Sequence, residues 1–369
     1  MAETRTARYE FLDALRGIAI LLVLLLHFAE RGVNSEDSLV HDKVWPVLQH
    51  GYLGVQLFFV ISGYCITAAV ASAAQKANSV HLFATRRLRR IFPPYWASIL
   101  FVVLAGLATR VLMKTPWETI FPLATWEWIA NIFLLQGPLQ AQDANLVYWS
   151  LSIELQFYIV MAIGLLMSSK TAETWFVFVS LLSAILATTH AVPLTGWVLN
   201  YWSEFACGIA AYFWITRTAT RPSTPWLLVA FASLEMLWSF YEQPVLTLPS
   251  GRFIPAIRIA FCLLTMLTMI VLYQKDSYLC RFRMVRAFMG IGAISYSLYL
   301  THVPVGTRIF NLGQRLTGLD GVLWLPYFGL SLIASFLVGL LFFRLCERPW
   351  LNSVVPRKNA TPPESAMAT

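Results

Sequence analysis

The first apolar run of the chain, LDALRGIAILLVLLLHF from Leu12 to Phe28, is interrupted only by Asp13, Arg16 and His27. At about 100° per residue, the eleven steps from Arg16 to His27 bring them within about 20° of one helix face. Asp13, three residues before Arg16, shares that face. A rise of about 1.5 Å per residue places His27 about 16 Å deeper than Arg16. With Arg16 near one membrane surface, His27 therefore stands at mid-depth or a little beyond. An ionisable group at the centre of a membrane helix costs about 2.5–3.5 kcal/mol on insertion scales. Such groups are functional candidates by default.

Other runs carry chemistry of their own. ATRRLRRIFPPYW, Ala84 to Trp96, packs four arginines into five residues. That is more than a topology anchor needs, and arginine forks bind phosphates bidentately. The sharper reading is a site for a phosphorylated ligand, with Arg87 and Arg90 central. In VYWSLSIELQFY, Val147 to Tyr158, the i,i+4 spacing lines up Ser150, Glu154 and Tyr158 on one face. Glu154 reads as an acid/base or acceptor-binding group, or as an interfacial structural one. In AISYSLYLTHVP, Ala293 to Pro304, Tyr299 and His302 share a face and Ser295 lies close to it. His302, next to a proline, also has a structural reading. GYLGVQLFFVISGY, Gly51 to Tyr64, reads as close helix packing through glycines and Ser62, and no GxSxG elbow is present. In CERPW, Cys346 to Trp350, Glu347 and Arg348 read as partners of nearby arginines.

The elements that must position these residues are membrane helices. Of 369 residues, 58% are hydrophobic and 12% charged, against about 25% charged in soluble proteins; the mean hydropathy is +0.63. The fold class is all-α, a polytopic membrane protein with no room for a second soluble domain. Ten spans are predicted, at about 11–29, 52–73, 92–112, 147–167, 174–190, 197–215, 226–241, 253–273, 288–309 and 324–345. The segment 117–136, rich in Trp and carrying Glu118 and Glu127, reads as interfacial or re-entrant, with a true span as the alternative. The stretch 242–256, with three prolines, reads as an outer loop. With both termini cytoplasmic, most of the 27 Lys and Arg fall on cytoplasmic segments. The net charge of +8 is thus a matter of topology, and nucleic acid is not the expected partner. The N-terminus imitates a signal peptide, but HFAERG follows the apolar core with no small-residue cleavage site, so it reads as a retained first span. Five cysteines, none in a CxxC pair, read as buried thiols; neither a disulfide framework nor a metal site is expected. Residues 351–369 are expected to be a disordered cytoplasmic tail after a membrane domain of residues 1–350.

Taken together and in order, these motifs resemble the membrane acyltransferase 3 family, integral-membrane O-acyltransferases of bacterial surface carbohydrates and some secondary metabolites. The resemblance rests on Arg16 and His27, on the G-x-x-G-V-x-x-F-F-V-I-S-G run from Gly51 to Gly63 and on R-x-x-R-I-x-P from Arg87 to Pro93. S-L-x-x-E-x-x-F-Y from Ser150 to Tyr158, Y-S-x-Y-L-x-H from Tyr296 to His302 and E-R-P from Glu347 to Pro349 complete it, over about residues 9–350. Many relatives add a further span and a soluble SGNH hydrolase-like domain. This sequence stops short of either, which would leave the acceptor step to the membrane domain or to a separate periplasmic acyltransferase partner.

The resemblance implies an O-acetyltransferase of the bacterial inner membrane with cytoplasmic acyl-CoA, most simply acetyl-CoA, as donor substrate and no bound cofactor. Arg87, Arg90 and Arg16 would bind the donor. His27 would be the catalytic base or a transient acyl carrier, with Glu154 catalytic on the acceptor side. Asp13, Ser150, Tyr158, Tyr296, Tyr299 and His302 would support them. The acceptor would be a hydroxyl of a carbohydrate or lipid-linked glycan such as lipopolysaccharide O-antigen or exopolysaccharide. A small-molecule acceptor such as a macrolide sugar is the alternative. From another class stands a proton-coupled transporter with His27 and Glu154 as relay, although that reading leaves the arginine cluster unexplained and no internal repeat supports it.

Overall fold

The computed structural model describes residues 9–30, 45–114, 123–242, 255–317 and 324–351, and no strand occurs among them. The helices of eight or more described residues are α1 (Phe11–Ala29), α2 (Leu53–Ala74), α3 (Ser79–Met113), α4 (Thr125–Ile132), α5 (Tyr148–Leu165), α6 (Ser169–Thr189), α7 (Trp202–Thr216), α8 (Ser223–Glu242), α9 (Pro255–Tyr273), α10 (Arg283–Ala293), α11 (Ser295–Thr317) and α12 (Trp324–Phe342). Among the described residues, seven helical stretches are long and apolar enough to cross a membrane: those of α1, α2, α3, α5, α6 and α9 and the α12 stretch to Leu351. The protein is an all-α polytopic membrane protein.

Several boundaries differ from the sequence reading. The third span begins thirteen residues early, at Ser79, because the basic run and the Pro93–Pro94 pair are one continuous helix. Each proline removes a backbone donor, and in the turn they loosen the Ile91 carbonyl accepts from the Tyr296 hydroxyl at 3.0 Å. The predicted span 288–309 is instead two helices, α10 and α11, parted at Ile294. In the described part of 117–136 stands α4, eight residues long, too short to cross a bilayer. Glu127 there holds backbone, accepting from Ala124 N at 2.8 Å and Gln142 N at 3.1 Å. These two bonds hold its carboxyl below the usual range. The outer-loop reading at 242–256, the tail from 352 and residues 115–122 fall largely outside the described residues.

Helix α1 is the pillar of the cavity side of the bundle, packed against α2, α10 and α11. Its first amides need outside acceptors. Asp276, between α9 and α10, supplies them through Oδ2 to Glu10 N at 3.0 Å and Oδ1 to Phe11 N at 2.8 Å. Backbones touch where glycines face each other: a Cβ on Gly292 would strike the Asp13 carbonyl, and one on Gly63 the Phe205 carbonyl. Helix α7 is buried continuously from Trp202 to Phe213, as an apolar-all-round helix must be, and packs on α2, α8 and α9. That side hides an ionic cluster unremarked in the sequence. Glu204 on α7 lies 3.8 Å from Arg258 on α9, and the Glu235 carboxylate on α8 accepts from Ser203 at 2.6 Å.

Candidate active site

A cavity of about 390 Å³ opens between α1, α2, α3, α5, the α10–α11 junction and the end of α12. Asp13 and Arg16 come from α1; Ser62 and Cys65 from α2; Arg87 and Arg90 from α3; Ser150, Glu154 and Tyr158 from α5; Tyr296 and Tyr299 from α11; Glu347 from the turn after α12. Three guanidiniums thus face three carboxylates inside an apolar bundle.

The arginines are not equivalent. Arg16 Nη1 donates to Asp13 Oδ1 at 2.6 Å and Nη2 to the Cys65 sulfur at 3.2 Å. Its charge already has a partner. Arg87 rests on rings instead, 5.8 Å from the centre of Phe83 and 6.0 Å from that of Tyr158. Among the described residues neither Arg87 nor Arg90 forms an ion pair. Two guanidiniums without carboxylate partners in a cavity are a ready anion site.

On α5 the i,i+4 reading resolves into bonds. The Tyr158 hydroxyl donates to Glu154 Oε1 at 2.7 Å, and Ser62 donates to the same oxygen at 3.2 Å. Ser62 therefore does more than pack helices. The sequence reading set Glu154 on the side opposite the arginines; in the structure it lines the same cavity as Arg87 and Arg90. It is seated nearly two turns into α5, deeper than the single turn expected, and the cavity runs on to Ser150. Ser150 does not bond Glu154; its hydroxyl pairs with that of Tyr299 at 2.6 Å. Glu347 sits in a π-helical turn, Phe343–Glu347, a distortion frequent at functional sites. It accepts from Ser297 at 2.5 Å, in place of the salt bridge expected from ERP.

His27 and His302 are not among the residues lining this cavity. They meet each other, His27 Nδ1 to His302 Nε2 at 2.9 Å, with ring centres 5.1 Å apart. Arg16 and His27 share a helix face, yet Arg16 serves the cavity while His27 lines a small second pocket with Glu30, Leu146, Val303 and Thr307. Tyr299 joins the two sites. Its ring lines the cavity, its ring centre is 5.9 Å from that of His302, and its carbonyl accepts from His302 Nδ1 at 2.9 Å. Pro304 explains part of the local build. It removes the amide that would serve the Leu300 carbonyl, and Asn145 Nδ2 donates there instead at 3.3 Å, tying the loop before α5 to the His302 turn. Ser297 as the partner of Glu347, Cys65 as a contact of Arg16 and the Glu204–Arg258–Glu235 cluster have no counterpart in the sequence reading. Each carries a signal, a polar or ionisable group inside an apolar run.

The sequence pattern of the acyltransferase 3 family, described as an acyltransferase domain, matches residues 9–344. Among curated proteins the chain is 27% identical over 390 residues to the peptidoglycan O-acetyltransferase OatA of Listeria monocytogenes, covering 94% of this chain and 57% of that protein. It is 26% identical over 333 residues to the O-acetyltransferase OatA of Staphylococcus aureus, covering 80% of this chain and 50% of that one. The chain thus spans little more than half the length of the curated relatives it matches. No solved structure matches. The matched region takes in nearly every residue of the cavity and both members of the histidine pair, and the chain belongs to the acyltransferase 3 family.

Proposed function

We propose that the protein is a membrane-bound O-acyltransferase that moves an acyl group, most simply acetyl, from cytoplasmic acyl-CoA to a hydroxyl of a cell-surface glycan. The observation that carries this reading is the pair Arg87 and Arg90, which line the cavity and, among the described residues, form no ion pair. Phosphates of the donor are the natural counter-charge. Apolar walls at Val55, Phe58, Phe59 and Leu151 suit the acyl-pantetheine arm. Family membership and the names of the relatives support the reaction class. A location in the bacterial inner membrane with the N-terminus cytoplasmic is the orientation that puts Arg87 and Arg90 on the donor's side.

The reaction needs a base for the hydroxyl proton. His27 takes it as the acceptor oxygen attacks the thioester carbonyl. The carbon–sulfur bond then breaks, and the coenzyme A thiolate leaves and takes up one proton, giving an ester and a free thiol. The Tyr299 and Ser150 hydroxyls, which line the cavity and bond each other at 2.6 Å, would turn one donor to the thioester oxygen as it gains charge. Asp13 holds Arg16, and Tyr158 with Ser62 holds Glu154.

The acceptor belongs to the same proposal: a lipopolysaccharide, exopolysaccharide or other envelope glycan, with a separate periplasmic protein as second partner. The test is mass spectrometry of envelope glycans and small metabolites from a strain with and without the gene. Ester-linked acyl groups lost from a glycan support the reading, and a mass shift on a small metabolite alone moves the acceptor to that class. Unchanged ester content in both fractions contradicts it.

A further inference from the structure

His302 is wholly buried. Its Nδ1 lies 3.0 Å from the Leu298 carbonyl and 2.9 Å from that of Tyr299. Carbonyl oxygens only accept, so this nitrogen carries a hydrogen. In the uncharged ring the lone pair is then on Nε2, and that atom is the one 2.9 Å from His27 Nδ1. A hydrogen bond between two ring nitrogens needs one hydrogen between them, which must therefore sit on His27. Neutral His27 thus carries its hydrogen on Nδ1 and its lone pair on Nε2.

We propose that His302 is a positioning residue that fixes the tautomer and orientation of His27, making Nε2 the basic nitrogen. The inference rests on the reading of His27 as the base. His302 takes no proton itself. When His27 gains a proton at Nε2, its Nδ1–H still donates to His302 Nε2, so the bond persists through the reaction with no rearrangement. Two helices hold the pair rigid. On α1, the Phe28 ring stands edge-on to His302 at 6.2 Å. On α11, the two carbonyls of the preceding turn clamp Nδ1, and Asn145 secures the next carbonyl at Leu300. The acceptor is neutral, unlike a carboxylate in the same role, so it steers the proton without adding a charge inside the membrane.

The test compares His302→Gln, His302→Asn and His302→Leu with His27→Ala and with the His27→Ala/His302→Leu double variant. Membranes containing equal amounts of each receive radiolabelled acetyl-CoA, with their own envelope glycans as acceptor; initial rates of ester formation give kcat and KM for the donor. His302→Leu, which removes the acceptor atom, is expected to lower kcat roughly 10²–10⁴-fold, the span of a general-base contribution, with KM changed less than about threefold. A carboxamide both donates and accepts, so the better fitting of Gln and Asn is expected to recover at least about tenfold over Leu. The double variant is expected to be no slower than His27→Ala, because His302 acts only through His27. Parental kcat in His302→Leu, equal loss in Leu, Gln and Asn, or a double variant slower by the product of the single losses overturns the inference while leaving an inactive His27→Ala to support the base. A fully active His27→Ala instead overturns the base reading and the inference with it. Should the Leu variant fail to fold, the Gln and Asn variants decide: both at the level of His27→Ala with intact thermal unfolding overturns the proposal.

Discussion

Replacing Arg87 with alanine separates donor binding from helix anchoring. The structure supplies both sides of the comparison. The guanidinium lies 5.8 and 6.0 Å from the centres of the Phe83 and Tyr158 rings and, among the described residues, has no ion pair. Losing those contacts costs the folded protein about 0.5–2 kcal/mol. A lost charge-assisted bond to a phosphate costs the complex about 1.5–3 kcal/mol, or roughly 10- to 150-fold in Kd at 1.4 kcal/mol per decade. Lysine at this position keeps the charge without the fork and recovers only part of the loss. The assay is calorimetric titration of purified Arg87→Ala and the parent with acetyl-CoA and with S-acetyl-pantetheine, which lacks the nucleotide and its phosphates. The weakening is expected with acetyl-CoA and absent with the truncated donor. Equal weakening with both places Arg87 on the arm or the fold, and no weakening with either reduces the basic run to a topology anchor.

Other perturbations read other parts of the site. Glu154→Gln keeps an acceptor for Ser62 and Tyr158 while removing a charge from a cavity meant for a polyanion, so acetyl-CoA affinity should not fall although acyl transfer does; a clear loss of affinity by calorimetry would put this carboxylate on the donor. Gly292→Ala drives a methyl into the Asp13 carbonyl and should cost about 1–3 kcal/mol of stability, as overpacking does, measured by thermal unfolding in detergent; parental stability would mean that the α1–α10 contact yields. Asp143, in the loop before α5, has its carboxyl pushed up to about 6 from 3.8 by burial, partly offset by Gln136. A raised acid binds its proton more tightly when folded, so its contribution is complete below about pH 4 and is lost as pH rises through about 6. Asp143→Asn should therefore raise the unfolding temperature at pH 7.5, by the equivalent of no more than about 3 kcal/mol, and change little at pH 4; equal effects at both would exclude this cause.

The helices were legible because apolar runs of bilayer length admit few other readings, and α5 because i,i+4 spacing turns directly into the Tyr158–Glu154 bond. Breaks inside apolar stretches were not. The α10–α11 junction at Ile294 and the π-turn at Phe343–Glu347 leave the hydrophobic pattern almost unchanged, yet they decide which residues face the cavity. Ser62 looked like packing because a serine among glycines does pack; its bond to Glu154 joins residues 92 apart in sequence. Likewise, nothing local to either helix pairs His27 with His302. That contact crosses 275 residues and follows from how α1 sits on α11. The sequence reading sets Glu154 and the arginines on opposite sides, and they line one cavity: entry direction gives a residue's depth, but a cavity running along the helices gathers residues from several depths.

The central claim is that His27 serves an acyl transfer from acyl-CoA to a glycan hydroxyl. It is tested most directly by quantifying base-labile acetate on envelope glycans from cells producing the parent or His27→Ala at equal, membrane-inserted levels. The account predicts ester acetate above the empty-vector baseline with the parent and at that baseline with His27→Ala, since exchanging a polar side chain for alanine lowers the cost of insertion and leaves the helix in place. Ester acetate at the parental level with His27→Ala would contradict it.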